Sequence, residues 1–313
     1  MGRPFLEGGN AFLPEISTDQ TIGRISGLGW ALGYLGGGTL LVINLIMLKY
    51  PEWLGLPPGY FTVQDCFVSV SLWWFVFSLP TFLLLKERIH PTDRVFGGNY
   101  WWEGYQRLRH TLRRIKTFRE LTKFLIGYLV YNDGIETVIV MASIFGAQVL
   151  GMATDEIILF FLMIQAIAFL GSLFFGFLAD AIGNKKTIMI SLGIWSFIVI
   201  WASQLGRVTD PKTEYWMLGV LAAVVLGGSQ AASRSLQGLF TPEANSAEFF
   251  GFFAVSGRFS SVFGPLIYGV LIALTGSVRW GILSILLFFV IGMAMLWTVD
   301  ERKGVEEKQN PVT

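Results

Sequence analysis

Long apolar runs, separated by short polar or glycine-containing stretches, dominate the chain. A membrane-crossing helix needs roughly 20 predominantly apolar residues. Eight stretches meet that length: about 27–49, 66–86, 122–149, 155–179, 187–205, 215–238, 248–274 and 278–298. The third carries Asn132, Asp133 and Glu136 within it and still reads as spanning. A strand or sheet edge facing lipid leaves its backbone unpaired, so the fold class is all-α and polytopic. A different pattern governs 99–120, where Trp101, Tyr105, Leu108, Leu112, Ile115 and Phe118 recur at spacings of three and four, with arginines opposite. This predicts an amphipathic helix along the membrane surface. It reads as a connector between two bundles, with contact to anionic lipid or a gating role as the alternative.

Composition agrees with the pattern. Hydrophobic residues make up 53% of the 313 positions and charged residues only 14%, which excludes a soluble enzyme. A net charge of +1 argues against nucleic acid as a partner. The single cysteine, Cys66, rules out an internal disulfide framework. Met1 to Thr18 shows neither the apolar core nor the cleavage site of a signal peptide. No phosphate-cradling glycine loop, nucleophile triad or metal-ligand cluster is visible, and His90 and His110 have no partners at metal spacing. No cofactor and no enzymatic activity are therefore expected. Basic residues cluster between the second and third spans (Arg88, Arg107, Arg113 and Lys116 among them), at Lys185 and Lys186, and at Arg302, Lys303 and Lys308. Even numbers of spans separate these clusters, so they share one side. The positive-inside rule puts that side, and both termini, in the cytoplasm.

One turn carries more information than its length suggests. Gly176-Phe-Leu-Ala-Asp180-Ala-Ile-Gly183-Asn-Lys185-Lys186 follows the fourth span and reads G-x-x-x-D-x-x-G-x-K-K. It resembles the signature loop of the major facilitator superfamily, which follows the second helix of each six-helix half. Counting from it, 122–298 holds a complete C-terminal half, 87–121 a basic linker, and 27–86 two helices of an N-terminal half. Segments 1–26 and 299–313 flank these as cytoplasmic stretches. The chain is therefore expected to lack the first four helices. Further motifs follow in order: Asn10-Ala-Phe-Leu-Pro14-Glu15, Gly27 to Gly38, Tyr131-Asn-Asp133-Gly134-Ile-Glu136, Gly228-Ser-Gln230-Ala-Ala-Ser-Arg234-Ser235 and Ala247-Glu248-Phe-Phe-Gly. Together they resemble the vacuole-effluxer-like branch, which comprises bacterial "unknown major facilitator" proteins and fungal autophagy-related vacuolar amino-acid effluxers. In that family the Asn-Ala-Phe-Leu-Pro-Glu stretch comes just after the fourth helix, which agrees with the count.

Several polar residues inside spans are candidates for mechanism. Asp133 and Glu136, three apart, share one helical face, and intramembrane acids mark substrate or proton sites or ion pairs. With Asn132 they form a candidate substrate-amine or proton site; pairing with structural arginines is the plain alternative. Arg258, inside the seventh span, and Arg234, near the end of the sixth, are candidates to pair with these acids or to grip a substrate carboxylate. For Arg234, snorkelling to the inner surface is the plain reading. Gln165 and Gln230 are cavity-lining candidates or interhelical hydrogen-bonding residues. Within the signature turn, Gly176, Asp180, Gly183, Lys185 and Lys186 form the expected gating loop. Asp180 is expected to cap the following helix or pair with the lysines, and Gly183 to permit the turn. Asn245 and Glu248 read as a capping pair. Gly36 to Gly38 and Gly227-Gly228 read as close-packing surfaces, and Gly264-Pro265 as a bend in the seventh span.

The sequence thus predicts a secondary transporter of small polar organic solutes such as amino acids, working by alternating access with proton coupling at Asp133 or Glu136. The rival expectation is a truncated, transport-incompetent protein, or a half-transporter that needs an oligomer or a separately encoded half. Its partners are the lipid bilayer, a small solute and protons. The expected site is the plasma or inner membrane, or the vacuolar membrane if the chain is fungal.

Overall fold

A computed structural model describes residues 8–57, 59–84, 118–243 and 246–309. Among them every regular element is helical. Two short helices, α1 (Gly8–Ala11) and α2 (Leu13–Ile16), lead into α3 (Ile22–Lys49) and α4 (Val63–Leu84). Then come α5 (Arg119–Gln148), α6 (Thr154–Ile182), α7 (Asn184–Ala202) and α8 (Pro211–Phe240). The chain closes with α9 (Ser246–Phe259), α10 (Phe263–Thr275), α11 (Val278–Trp297) and α12 (Glu301–Gln309). Eight of the described spans are long and apolar enough to cross a membrane, α9 and α10 counting as one. The amphipathic segment at 99–120 lies mostly outside the described residues, as does Asn245.

The third span runs unbroken through Asn132, Asp133 and Glu136. The seventh does not. Its break falls at 260–262, just before the expected bend, and Gly264 and Pro265 sit in the first turn of α10. A first helical turn tolerates proline, because its amides have no intrahelical partner.

The most extensive packing joins α3 to α6 and α6 to α8; α5 packs on α11, and α7 on α8 and α11. Small residues make the α3–α6–α8 seam. A Cβ on Gly27 would lie 2.5 Å from the carbonyl of Ser172, and one on Gly176 would lie 2.8 Å from the carbonyl of Gly23. Gly227 likewise faces Ala168 and Ser172. Without hydrophobic drive between helices in lipid, such close backbone approach supplies the van der Waals contact. Elsewhere an aromatic cluster of Phe124, Tyr128, Phe240, Phe249 and Phe253 fills the space between α5, α8 and α9. In contrast, α4 buries no residue between Val63 and Pro80 and touches α3 through the Ser69–Asn44 hydrogen bond of 2.8 Å.

α3, α5, α7 and α9 begin, and α6, α8 and α11 end, on one side, termed the basic face after Lys185, Lys186, Arg302 and Lys303. On the opposite face Lys49 pairs with Asp155, and Lys212 with Glu156 at 3.3 Å.

Candidate transport pathway

A cavity of about 530 Å³ lies nearer the opposite face, walled by α3, α5, α6, α7, α8, α10 and α11. Its lining is aliphatic and aromatic, with Trp30, Phe145, Phe160, Trp195, Tyr215 and Tyr268 prominent. Of the candidates read from the sequence, only Gln165 and Gln230 line it. Gln230 accepts a hydrogen bond from the hydroxyl of Tyr34, another lining residue. The Gln165 side chain packs against α3, its amide nearest Gly37 and its Cβ nearest Gly38.

The acids inside α5 part company. Asp133 is almost wholly buried, and its carboxylate accepts the amide of Gly264 at 2.8 Å and that of Phe263 at 3.1 Å. It therefore caps the half-helix α10 where the seventh span breaks, satisfying amides that have no other partner. Asn132 secures the break from the other side by donating to the Ser260 hydroxyl at 2.5 Å. Glu136 is half-buried and makes no direct hydrogen bond or ion pair among the described residues, though it lies in the field of Arg258, Asp133 and Tyr34. Arg258 is exposed near the end of α9, one residue before that helix stops, and not buried in mid-span as expected.

Among the described residues Arg234 neither snorkels nor pairs with an acid. Its guanidinium donates to the Ser26 hydroxyl at 3.1 Å, the Ser26 carbonyl at 2.6 Å and the Asn10 side chain at 3.0 Å. It lies 5.5 Å over the Trp30 ring, a cation–π contact. Ser26 in turn donates to the Ala231 carbonyl at 2.7 Å. Three separated motifs, around Asn10, Gly27 and Gln230, thus meet at one node between α3 and α8.

At the signature turn, Asp180 turns away from α7 and its lysines. Its carboxylate accepts the Gly23 amide at 2.7 Å, the Arg24 amide at 3.1 Å and Arg24 Nε at 2.9 Å. The acid of one turn therefore caps the N-terminus of α3, where the macrodipole favours negative charge. The expected cap on α7 comes instead from Glu301, whose carboxylate accepts the amides of Asn184 at 3.1 Å and Lys185 at 3.3 Å. Gly183, at φ +96°, supports the reversal of chain direction and leaves room for that carboxylate. Lys185 donates to the carbonyls of Trp297 at 2.8 Å and Val299 at 2.5 Å, completing the C-terminus of α11. Lys186 is exposed.

Tyr34, Trp30, Asn10, Ser26 and Glu301 escaped individual notice in the sequence. The first four sit inside or beside motifs quoted for the family resemblance, so the motif text was the available signal. Glu301 lies in a charged tail and carried none.

Apolar helices of membrane length, a glycine seam and a discontinuous span capped by a buried acid define an all-α polytopic membrane protein of the major facilitator type. The profile of the family described as "Vacuole effluxer Atg22 like" matches residues 13–309, and the chain belongs to that family. It is 28% identical over 301 residues to the uncharacterized MFS-type transporter YxiO of Bacillus subtilis, covering 96% of this chain and 68% of that protein. It is 26% identical to autophagy-related protein 22 of Kluyveromyces lactis, covering 96% and 65%. To autophagy-related protein 22-1 of Penicillium rubens it is also 26% identical, covering 90% and 50%. The chain spans about half to two thirds of the length of these relatives.

Proposed function

We propose that this chain forms the core of a secondary transporter that moves a small organic solute by alternating access. The observation that carries this reading is the apolar cavity, separated from the basic face by the Arg234 node and by a turn whose Asp180 grips α3. In this reading α5 to α11 are a complete six-helix half, and α3 and α4 are two helices of the other. The conformation described is closed at the basic face, which the positive-inside rule assigns to the cytoplasm. Opening it separates Asp180 from the first turn of α3 and slides the glycine seam.

The lining chemistry suits a solute with an apolar body. Uncharged groups at Gln165, Gln230 and Tyr34 orient it. Glu136, one turn from the lining residue Ile139, and Arg258 offer opposite charges toward the basic side. An amino acid with an apolar side chain matches both features, its amine toward Glu136 and its carboxylate toward Arg258. Glu136, without a direct partner among the described residues, is also the group for proton exchange, whereas Asp133 serves the hinge.

The test is uptake of labelled phenylalanine into proteoliposomes under an imposed pH gradient. Glu136→Gln is expected to abolish the pH dependence, while Asp133→Asn lowers the amount of folded protein. Wild-type uptake that ignores the gradient, or a Glu136→Gln variant that keeps full pH dependence, contradicts the assignment. A second reading, in which the chain works with further helices from a second copy or a separately encoded partner, is favoured by α4, which buries nothing along its span. Native mass spectrometry of the purified chain separates the two.

A further inference from the structure

Helix α12 has a composition that gives it no reason to enter lipid, Glu-Arg-Lys-Gly-Val-Glu-Glu-Lys-Gln, yet it is tied to the bundle along its whole length. Glu301 caps α7, as described above. Gly304 seats against the buried ring of Phe240 at the end of α8, where a Cβ would lie 2.3 Å from the ring. Glu307 accepts the Glu120 amide at 3.1 Å and so caps α5. The buried Glu120 carboxylate returns the contact, accepting the Asp300 amide at 2.7 Å, and also pairs with Lys123. Finally, Lys308 reaches Asp19, just before α3, at 3.3 Å. The Lys308 side chain is 17% exposed and that of Asp19 50%, so the pair is partly screened.

These contacts fall into two classes. Glu301, Gly304 and Glu307 join α12 to α7, α8 and α5, none of them to α3. Among the described residues Lys308 is the one that crosses to the α3 side, at Asp19, a few residues from the amides that Asp180 holds. We infer that α12 is a positioning strap for the inner gate: it anchors on one half, fixes the signature turn through Glu301, and holds the α3 entry shut through the Lys308–Asp19 pair.

The strap goes beyond the transport reading and rests on it for the meaning of the gate. Its test reads motion, not flux, so the two can fail separately. Hydrogen–deuterium exchange is followed on the full chain in nanodiscs. In Lys308→Glu, and separately in Asp19→Lys, exchange across 18–27 is expected to rise about 2- to 5-fold, the range of one partly screened ion pair. Exchange within α12 stays unchanged, because its other anchors remain. The combined swap, Asp19→Lys with Lys308→Glu, restores the wild-type rate across 18–27, which a general loss of stability cannot do. Glu301→Gln is expected to raise exchange at 183–187 about 5-fold, from a weakened cap. Unchanged exchange at 18–27 in both single variants overturns the strap, as does a swap that fails to restore it. Loss of protection throughout α12 in Lys308→Glu also overturns it, since the helix would then be held by Lys308 and not anchored beforehand. Should Glu301→Gln fail to fold, the charge swap still decides the matter.

Discussion

Two aspartates do the same chemistry in two places, and the difference between them separates what must stay from what can move. Asp133 and Asp180 each accept two successive amides at the start of a helix other than their own. Asp133 does so in the interior, 1% exposed, between α5 and α10 of the same bundle. Asp180 does so at a helix end, with a side chain 10% exposed beside the solvent-facing Arg24, and across the glycine seam between α6 and α3. Without Asp133 the buried Gly264 amide at the first site has no water to turn to. The amides at the second do. In the proposed transport cycle, one cap fixes a hinge and the other is the contact that is released and remade.

Backbone contact at the seam should produce the largest effect. Gly27→Leu or Gly176→Leu drives a side chain into a facing backbone, and is expected to destabilise by more than about 4 kcal/mol, read as loss of folded protein on size exclusion. Such a loss erases both caps together and shows that the seam underlies them. Next comes Asp133→Ala, expected to cost about 2–3 kcal/mol because one buried and one part-buried amide lose a charged acceptor; thermal unfolding in nanodiscs measures it. Asp180→Ala should cost less, about 1 kcal/mol, while shifting the gate open. If the two alanine variants unfold at the same temperature, the distinction between hinge and latch is lost.

The smallest effect concerns pH. Hydrogen bonds from the Lys303 and Arg302 amides hold the Asp300 carboxyl below the usual carboxylate range. A depressed folded-state pKa contributes stability above the unfolded value and loses it as pH falls through the folded one. The cap on α12 should therefore be constant from pH 5 to 8 and weaken only below about pH 4. Exchange within 301–305 checks this, and loosening near pH 6 contradicts it.

Spans and class were legible because length and hydropathy decide them. The signature turn was legible as a turn, and the close packing of Gly37, Gly38, Gly227 and Gly228 as small-residue contact. Partners were not. Spacing put Asp133 and Glu136 on one face, but not that a break opposite would offer Asp133 two amides. Asp180 precedes α7 by four residues, so local logic assigned it there; the helix it caps begins more than 150 residues earlier. Long-range pairing depends on which helices adjoin, and hydropathy carries no record of adjacency. For the same reason Arg234 read as a snorkelling side chain, when Asn10 and Ser26 were waiting for it.

In the proposed transport cycle the Asp180 contact is a latch that opens. Nitroxides placed on Thr18→Cys and Lys186→Cys, in a Cys66→Ser background, report across it by double electron–electron resonance. A dominant short distance is expected in the parent chain, with a longer second population that grows when Asp180→Asn is added. A single distance, the same with and without Asp180→Asn, would contradict it.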